Sequence, residues 1–218
     1  ESMVLTTLNA TSAGSPPNRS EWSPRQAKAF SSAAMDAYRA GLRGSHAEIR
    51  TAVLDDLCSY YHVSPEECVD RCVNWEKWSV EEWEKRPRTD RDGLADFYSK
   101  VQSWSYDLLW FAYLQAEGFE YPISAVVADS LPQPTRENPR HLDFGSGIGA
   151  TSAMFRRLGY ESDLADVSDT LLGFARHRHE RRGEKFGYIN LKERKLEWGR
   201  YDVITAFDTL THIPEEDF

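Results

Sequence analysis

The chain has 218 residues, 40% of them hydrophobic and 28% charged, with a formal net charge of −9. That composition supports one large or two small globular domains with a sizeable core and excludes disorder of the whole. The negative balance argues against nucleic-acid binding through the overall field, and no apolar run is long enough to span a membrane. The first residues also lack the basic-then-apolar order of a signal peptide, so a cytoplasmic location is expected.

Residues 1–22 are rich in Ser, Thr, Pro, Gly and Asn and are expected to form a disordered tail. From Ser23 to about Leu131 the apolar pattern is helical. Serines three residues before a glutamate, at Ser45/Glu48, Ser64/Glu67 and Ser79/Glu82, predict helix starts, and Pro65 suits a first turn. Breaks are expected near Gly41 to Gly44, His62 to Val63 and Arg86 to Asp90. One long helix is predicted from about Asp92 to Glu117, where Leu94, Phe97, Val101, Trp104, Leu108 and Phe111 recur at helical spacing before Gly118. Trp104 and Tyr106 cannot both share the face of Phe97 and Val101, so one of these rings is available to turn toward a ligand. A short helix near Ile123 to Ser130 follows, and Pro132, Pro134 and Pro139 mark a stiff connector. The helical region is therefore placed at 23–135 and a second region at 136–218.

Cys58, Cys68 and Cys72 fall in predicted helices and are expected to be reduced thiols. With His62 their spacing matches no familiar zinc pattern, so core packing is expected and no metal. His177 and His179 flank Arg178 in a stretch of mixed charge and are expected on a solvated face.

After the connector the rhythm becomes strand, helix, strand. Strands are predicted at 140–144, 161–167, 186–191 and 201–207, with helices at 149–158 and 169–182. Such alternation implies an open α/β sheet of parallel strands, with ligands at the carboxyl ends beside the reversal of strand order. At that end of the first strand stands Gly145-Ser-Gly147-Ile-Gly149, a strand-to-helix turn suited to close approach of a nucleotide. The turn also satisfies a dinucleotide fingerprint. A carboxylate at Asp143 would repel a pyrophosphate and attract an ammonium group. Asp166, closing the second strand, suits ribose hydroxyls of either a nicotinamide or an S-adenosyl cofactor.

The segments Leu142-Asp-Phe-Gly-Ser-Gly-Ile-Gly149, Leu164-Ala-Asp-Val-Ser168 and Tyr201-Asp-Val-Ile204 through His212-Ile213 together resemble three motifs of the class I S-adenosylmethionine-dependent methyltransferases, in the family order. The resemblance covers about residues 138–218. It implies a Rossmann-like sheet and cofactor contacts at Asp143, Phe144, Gly145, Gly147, Gly149, Asp166, Val167 and Phe207. By it, Asp143 helps hold the methionine amino group, Asp166 binds the ribose, Val167 packs on adenine, and Phe207 borders the methyl end. The third motif is left open among Asn190, Leu191, Lys192 and Glu193. His212 is expected to cap or pack rather than to act as a base. The family fold has seven strands and four are encoded here, so a fragment, or completion of the sheet by another chain, is expected. The expected activity is methyl transfer to a small molecule, with the helical region covering the pocket. A nicotinamide-dependent oxidoreductase and a non-catalytic methyltransferase-like module remain as alternatives.

Overall fold

The computed structural model describes residues 22–86, 91–132, 134–197 and 199–210. All of the expected tail except Trp22 lies outside them, as do His212 and Ile213. Eight helices come first among the described residues: α1 (Pro24–Phe30), α2 (Ala33–Arg43), α3 (Ile49–Tyr61), α4 (Pro65–Val73), α5 (Trp75–Glu84), α6 (Arg91–Lys100), α7 (Ser103–Glu117) and α8 (Ile123–Ser130). Then follow β1 (Arg140–Phe144), α9 (Ala150–Arg157), β2 (Glu161–Asp166), α10 (Asp169–Arg181), β3 (Gly187–Asn190) and β4 (Val203–Thr205). No helix among the described residues is long and apolar enough to cross a membrane.

Of the serine starts, Ser64 caps α4 by accepting from Glu67 N, with Pro65 as the first helical residue. Ser45 caps nothing, since α3 begins at Ile49 after Glu48. Ser79 lies inside α5, where its hydroxyl accepts from the Trp104 indole at 3.3 Å. The single helix predicted over 92–117 is two, α6 and α7. Glu82 explains the interruption: its carboxylate accepts from Gln102 N and Ser103 N, each at 3.1 Å, and from Ser103 Oγ at 2.7 Å. An anionic acceptor satisfies the orphan amides of a helix start and complements its dipole, so a new helix begins where the apolar period alone runs on.

The sheet order is β3-β2-β1-β4, all parallel, so the order reverses beside β1. Asp143 stands opposite Leu164 on one side and Thr205 on the other, and Phe144 stands opposite Ala165. The fourth strand is shorter than the predicted 201–207. It pairs only along His141 to Asp143, and at Asp208 the chain takes a positive φ of 50°, which ends extended structure.

The two faces of β1 differ. Leu142 clusters with Ala165 and Ile189, whereas His141 stacks on Phe155 of α9 at 3.8 Å. The helical region packs on that second side. One apolar core joins Met35, Leu57, Tyr106 and Leu109 to Ile148, Met154, Phe155 and Phe174. At Gly41 of α2 a Cβ would lie 3.1 Å from that of Ala153 in α9, so the two helices touch nearly backbone to backbone. The division at 135/136 marks a change of architecture along the chain; the core runs across it. Cys68 and Cys72 are buried in this core, and Cys58 packs against it.

Candidate functional site

At the carboxyl end of β1 the chain turns sharply over β2: Gly145 N and Ser146 N both donate to Ala165 O, at 2.8 and 3.1 Å. Gly145, Gly147 and Gly149 then take φ values of 70°, 51° and 73°, in the left-handed region where a Cβ is strained. Space excludes side chains here as well. A Cβ at 145 would clash with the Thr209 side chain, and one at 149 would meet Leu164 Cδ2 at 2.7 Å and His179 Cε1 at 2.9 Å. Above the centre of the turn, Leu108 of α7 comes within 3.0 Å of where a Gly147 Cβ would be, so a helix of the amino-terminal region lies against the cradle.

Asp166 ties this turn to the end of β2. Gly147 N donates to its Oδ2 and Ser168 N to its Oδ1, both at 2.8 Å. Burial pushes its carboxyl above the usual range, and these amides oppose the shift. A carboxylate offers about four acceptor positions, so acceptor capacity remains for hydroxyl donors. The next residue, Val167, is 44% exposed, an apolar surface beside that carboxylate. Asp143, Phe144, the three glycines, Asp166, Val167 and Phe207 thus gather at one end of the sheet. Phe207 follows β4, half-buried; its carbonyl accepts from Thr209 Oγ1 at 3.0 Å, and Thr209 in turn overlies Gly145.

Asp143 sits beneath the turn, 3% exposed, and faces the first turn of α9. Ser152 donates to its Oδ2 through N at 3.1 Å and Oγ at 2.8 Å, and Thr205 Oγ1 donates to its Oδ1 at 3.0 Å. Burial nevertheless pushes the carboxyl up to about 7. With the Thr205 proton directed at Asp143, Thr205 Oγ1 accepts from His141 Nε2 at 2.8 Å, and His141 Nδ1 accepts from Ser162 Oγ at 2.8 Å. The hydrogen-bond pattern therefore assigns the Nε2–H tautomer to His141. Burial pushes that imidazole down to about 3, so it is neutral.

Much of the mixed-charge stretch is solvated, with Arg176, Glu180 and Arg181 exposed, but the segment around Arg178 is not. Arg178 is 0% exposed and His179 is 1% exposed, while His177 is half-buried and meets Ser59 Oγ at 2.9 Å. His179 stacks on Phe186 and pairs through Nδ1 with Tyr188 OH at 2.9 Å. Desolvation and the surrounding arginines hold it well below the ordinary histidine range. Of the two rings in question on α7, Tyr106 is buried and stacks on Tyr61, whereas Trp104 is half-buried against Phe97 and Tyr98.

Among the third-motif candidates, two have defined roles at the end of β3. Asn190 Nδ2 donates to Asp169 Oδ1 at 2.5 Å, and Lys192 Nζ reaches Asp169 Oδ2 at 2.7 Å and Ser99 Oγ at 2.6 Å. Ser168 Oγ also donates to Ser99 O at 3.3 Å, so the end of α6 is clasped over the segment that carries Val167. Sequence reasoning missed Ser99, Leu108, Ser152, Arg178, Thr205 and Thr209. Thr205, a polar residue inside an apolar strand, was a signal; for Leu108 and Arg178 none exists in the local pattern. A cavity of about 110 Å³ lies apart from the turn, between Ala34, Leu131, Phe155 and Tyr160.

Residues 142–218 match a family model described as a methyltransferase domain. No curated protein and no solved structure matches the chain.

Proposed function

We propose, from the match of residues 142–218 to a methyltransferase-domain family model, that this chain binds S-adenosylmethionine at the carboxyl ends of β1 and β2 and serves methyl transfer to a small-molecule acceptor in the cytoplasm. The observation that carries the reading is the bond from Gly147 N to Asp166, which joins the glycine turn to a carboxylate with spare acceptor sites. The residues present fit an adenosine ligand bearing an amino-acid tail. Asp166 suits two vicinal hydroxyls, exposed Val167 suits an adenine face, and the start of α9 after Gly149 offers positive potential to a carboxylate. Asp143, in its ionised form, lends negative potential from beneath the turn toward an ammonium group, and Phe207 gives an apolar border beyond β4.

When bound, S-adenosylmethionine supplies an electrophilic methyl group on a sulfonium. The protein's share of the work is alignment and exclusion of water. Leu108, set against Gly147, and the clasp of Ser99, Asp169 and Lys192 hold helical cover over the crevice. No acid or base is required of the chain unless the acceptor must lose a proton.

Calorimetric titration with S-adenosylhomocysteine and with NAD, on the wild type and on Asp166→Ala, tests the reading. Saturable binding of S-adenosylhomocysteine is expected, weakened roughly 100-fold in the variant, which loses charged acceptors for ligand and turn alike. Binding of NAD alone would support the oxidoreductase alternative, and binding of neither ligand would support the non-catalytic one; both results overturn the proposal.

A further inference from the structure

Arg178 is the largest of the fully buried side chains among the described residues, and it is charged. From α10 its Nη1 donates to Ile148 O at 2.8 Å, and its Nε donates to Asp56 Oδ2 at 3.0 Å. Asp56, itself 2% exposed on α3, also receives Arg182 Nη2 at 2.6 Å and Arg181 Nη1 at 3.4 Å. Arg178 Nη2 has no hydrogen-bond partner among the described residues. Removing a guanidinium from water costs several kcal/mol, and a well-packed apolar residue often fills such a site at no loss of stability. Core filling therefore does not account for an arginine here. What it adds is a hydrogen bond to a backbone carbonyl inside the glycine turn.

That carbonyl belongs to the peptide joining Ile148 to Gly149, immediately before α9. Its partner groups are otherwise committed: Gly149 N donates to Ser146 O at 2.9 Å, and the Ile148 side chain is buried in the core. A peptide flip would turn the carbonyl oxygen toward the crevice. It would then place a negative dipole end where the start of α9 presents positive potential.

We propose that Arg178 is a positioning residue for the glycine turn: it holds the Ile148–Gly149 peptide with its carbonyl toward the core, and Asp56 of α3 holds Arg178. A residue of the helical region thereby fixes the shape of the cradle more than 80 positions downstream. As it bears on cofactor binding, the proposal rests on the S-adenosylmethionine reading; as it bears on the turn's geometry, it stands apart from it.

Two readouts separate these levels. The amides of Gly145, Ser146, Gly147 and Gly149 are all hydrogen-bonded, so their hydrogen exchange reports on the turn directly. In Arg178→Lys, a point charge replaces the fork that reaches Asp56 and Ile148 together. Exchange of those amides is expected to accelerate roughly tenfold relative to Ile189 in β3, and S-adenosylhomocysteine affinity to fall by a similar factor, at a temperature where circular dichroism shows a folded protein. Asp56→Asn, which keeps size and shape, is expected to move both readouts the same way by a smaller factor and decides the matter if the lysine variant does not fold. Val69→Ala, in the core of α4, serves as a control that lowers stability without touching this path.

Unchanged turn exchange in both Arg178→Lys and Asp56→Asn would overturn the proposal. Equal acceleration in a Val69→Ala protein of matched stability would do the same, reducing Arg178 to a core residue. Should the wild type bind no S-adenosylhomocysteine, the cofactor reading falls while the exchange comparison still decides the role of Arg178.

Discussion

The interior of the helical region and the ground beneath the glycine turn are both buried, yet they are filled by different chemistry. Around α2, α3, α4 and α7 the interior is mostly apolar, with Met35, Leu42, Val53, Leu57, Cys68 and Leu109, and its buried polar groups, such as Ser105 and Gln115, are few. Under the turn it is His141, Asp143, Ser152, Ser162, Thr205, Arg178 and His179. An apolar interior is held by area and tolerates exchange among residues of like volume. A hydrogen-bonded interior is held by direction, and each lost partner leaves a desolvated group unpaired. The contrast places geometric precision at the end of the sheet where a ligand would bind, and leaves the helices to supply bulk, cover and the Asp56 anchor.

The largest expected effect in breaking this contrast comes from Gly149→Ala. Its added methyl would meet Leu164 Cδ2 at 2.7 Å and His179 Cε1 at 2.9 Å at a φ of 73°. Neither neighbour is free to yield, since Leu164 is fully buried and His179 is stacked on Phe186 and bonded to Tyr188. Left-handed strain plus overpacking is expected to cost about 3 kcal/mol in urea denaturation. Gly183→Ala is the matched control: its φ is 66°, but nothing lies within 4 Å of the new methyl, so only the strain of about 1 kcal/mol remains. Equal losses in the two variants would mean that the ground beneath the turn is as yielding as an open surface.

Asp143 yields a prediction of the next size. A carboxyl pushed up to about 7 by burial binds its proton more tightly in the folded state than in the unfolded one. Folding stability from this group is therefore greatest below the unfolded value near 4 and is lost as pH rises toward about 7. Asp143→Asn removes that titration. Relative to wild type, the variant is expected to gain about 2.5 kcal/mol between pH 5 and pH 8 in denaturation experiments. The same substitution makes residue 143 a donor toward Thr205. The Thr205 proton then turns to His141 Nε2, and the imidazole proton moves to Nδ1 opposite Ser162. Nitrogen NMR of His141 would show this exchange of tautomer, and an unchanged tautomer would contradict the relay.

What was legible in the sequence was what is chemically local. The glycines, the acids at strand ends and the alternation of strands and helices place Gly145, Gly147, Gly149, Asp166 and Val167 at one end of a parallel sheet without any knowledge of distant contacts. What was not legible depends on partners far along the chain. His179 and Arg178 sit among Arg, Glu and His residues that read as solvent-facing, and their burial is set by Asp56 on α3 and Tyr188 on β3. Ser79 resembles a cap but lies mid-helix, where the Trp104 indole uses it. The local cue at Ser45 fails for a simpler reason: α3 begins after Glu48 with no side-chain cap at all.

The division between α6 and α7 yields the smallest predicted effect, and it tests whether direction matters in the helical region as well. The apolar period runs unbroken from Leu94 to Phe111, so packing area alone favours one helix. Glu82 opposes this by taking the first amides of α7 and the Ser103 hydroxyl. Glu82→Gln keeps one carbonyl acceptor and loses the charge that complements the helix start. A cost of about 1 kcal/mol is expected, reduced at high salt, with S-adenosylhomocysteine affinity unchanged. The unchanged affinity is the discriminating part, because Leu108 is held against Gly147 by the buried side of α7, through Tyr106, Leu109 and Ala112, rather than by its first turn. A loss of affinity larger than the loss of stability would show that the orientation of α7 is set at Ser103, and that the helical cover is as directional as the turn it covers.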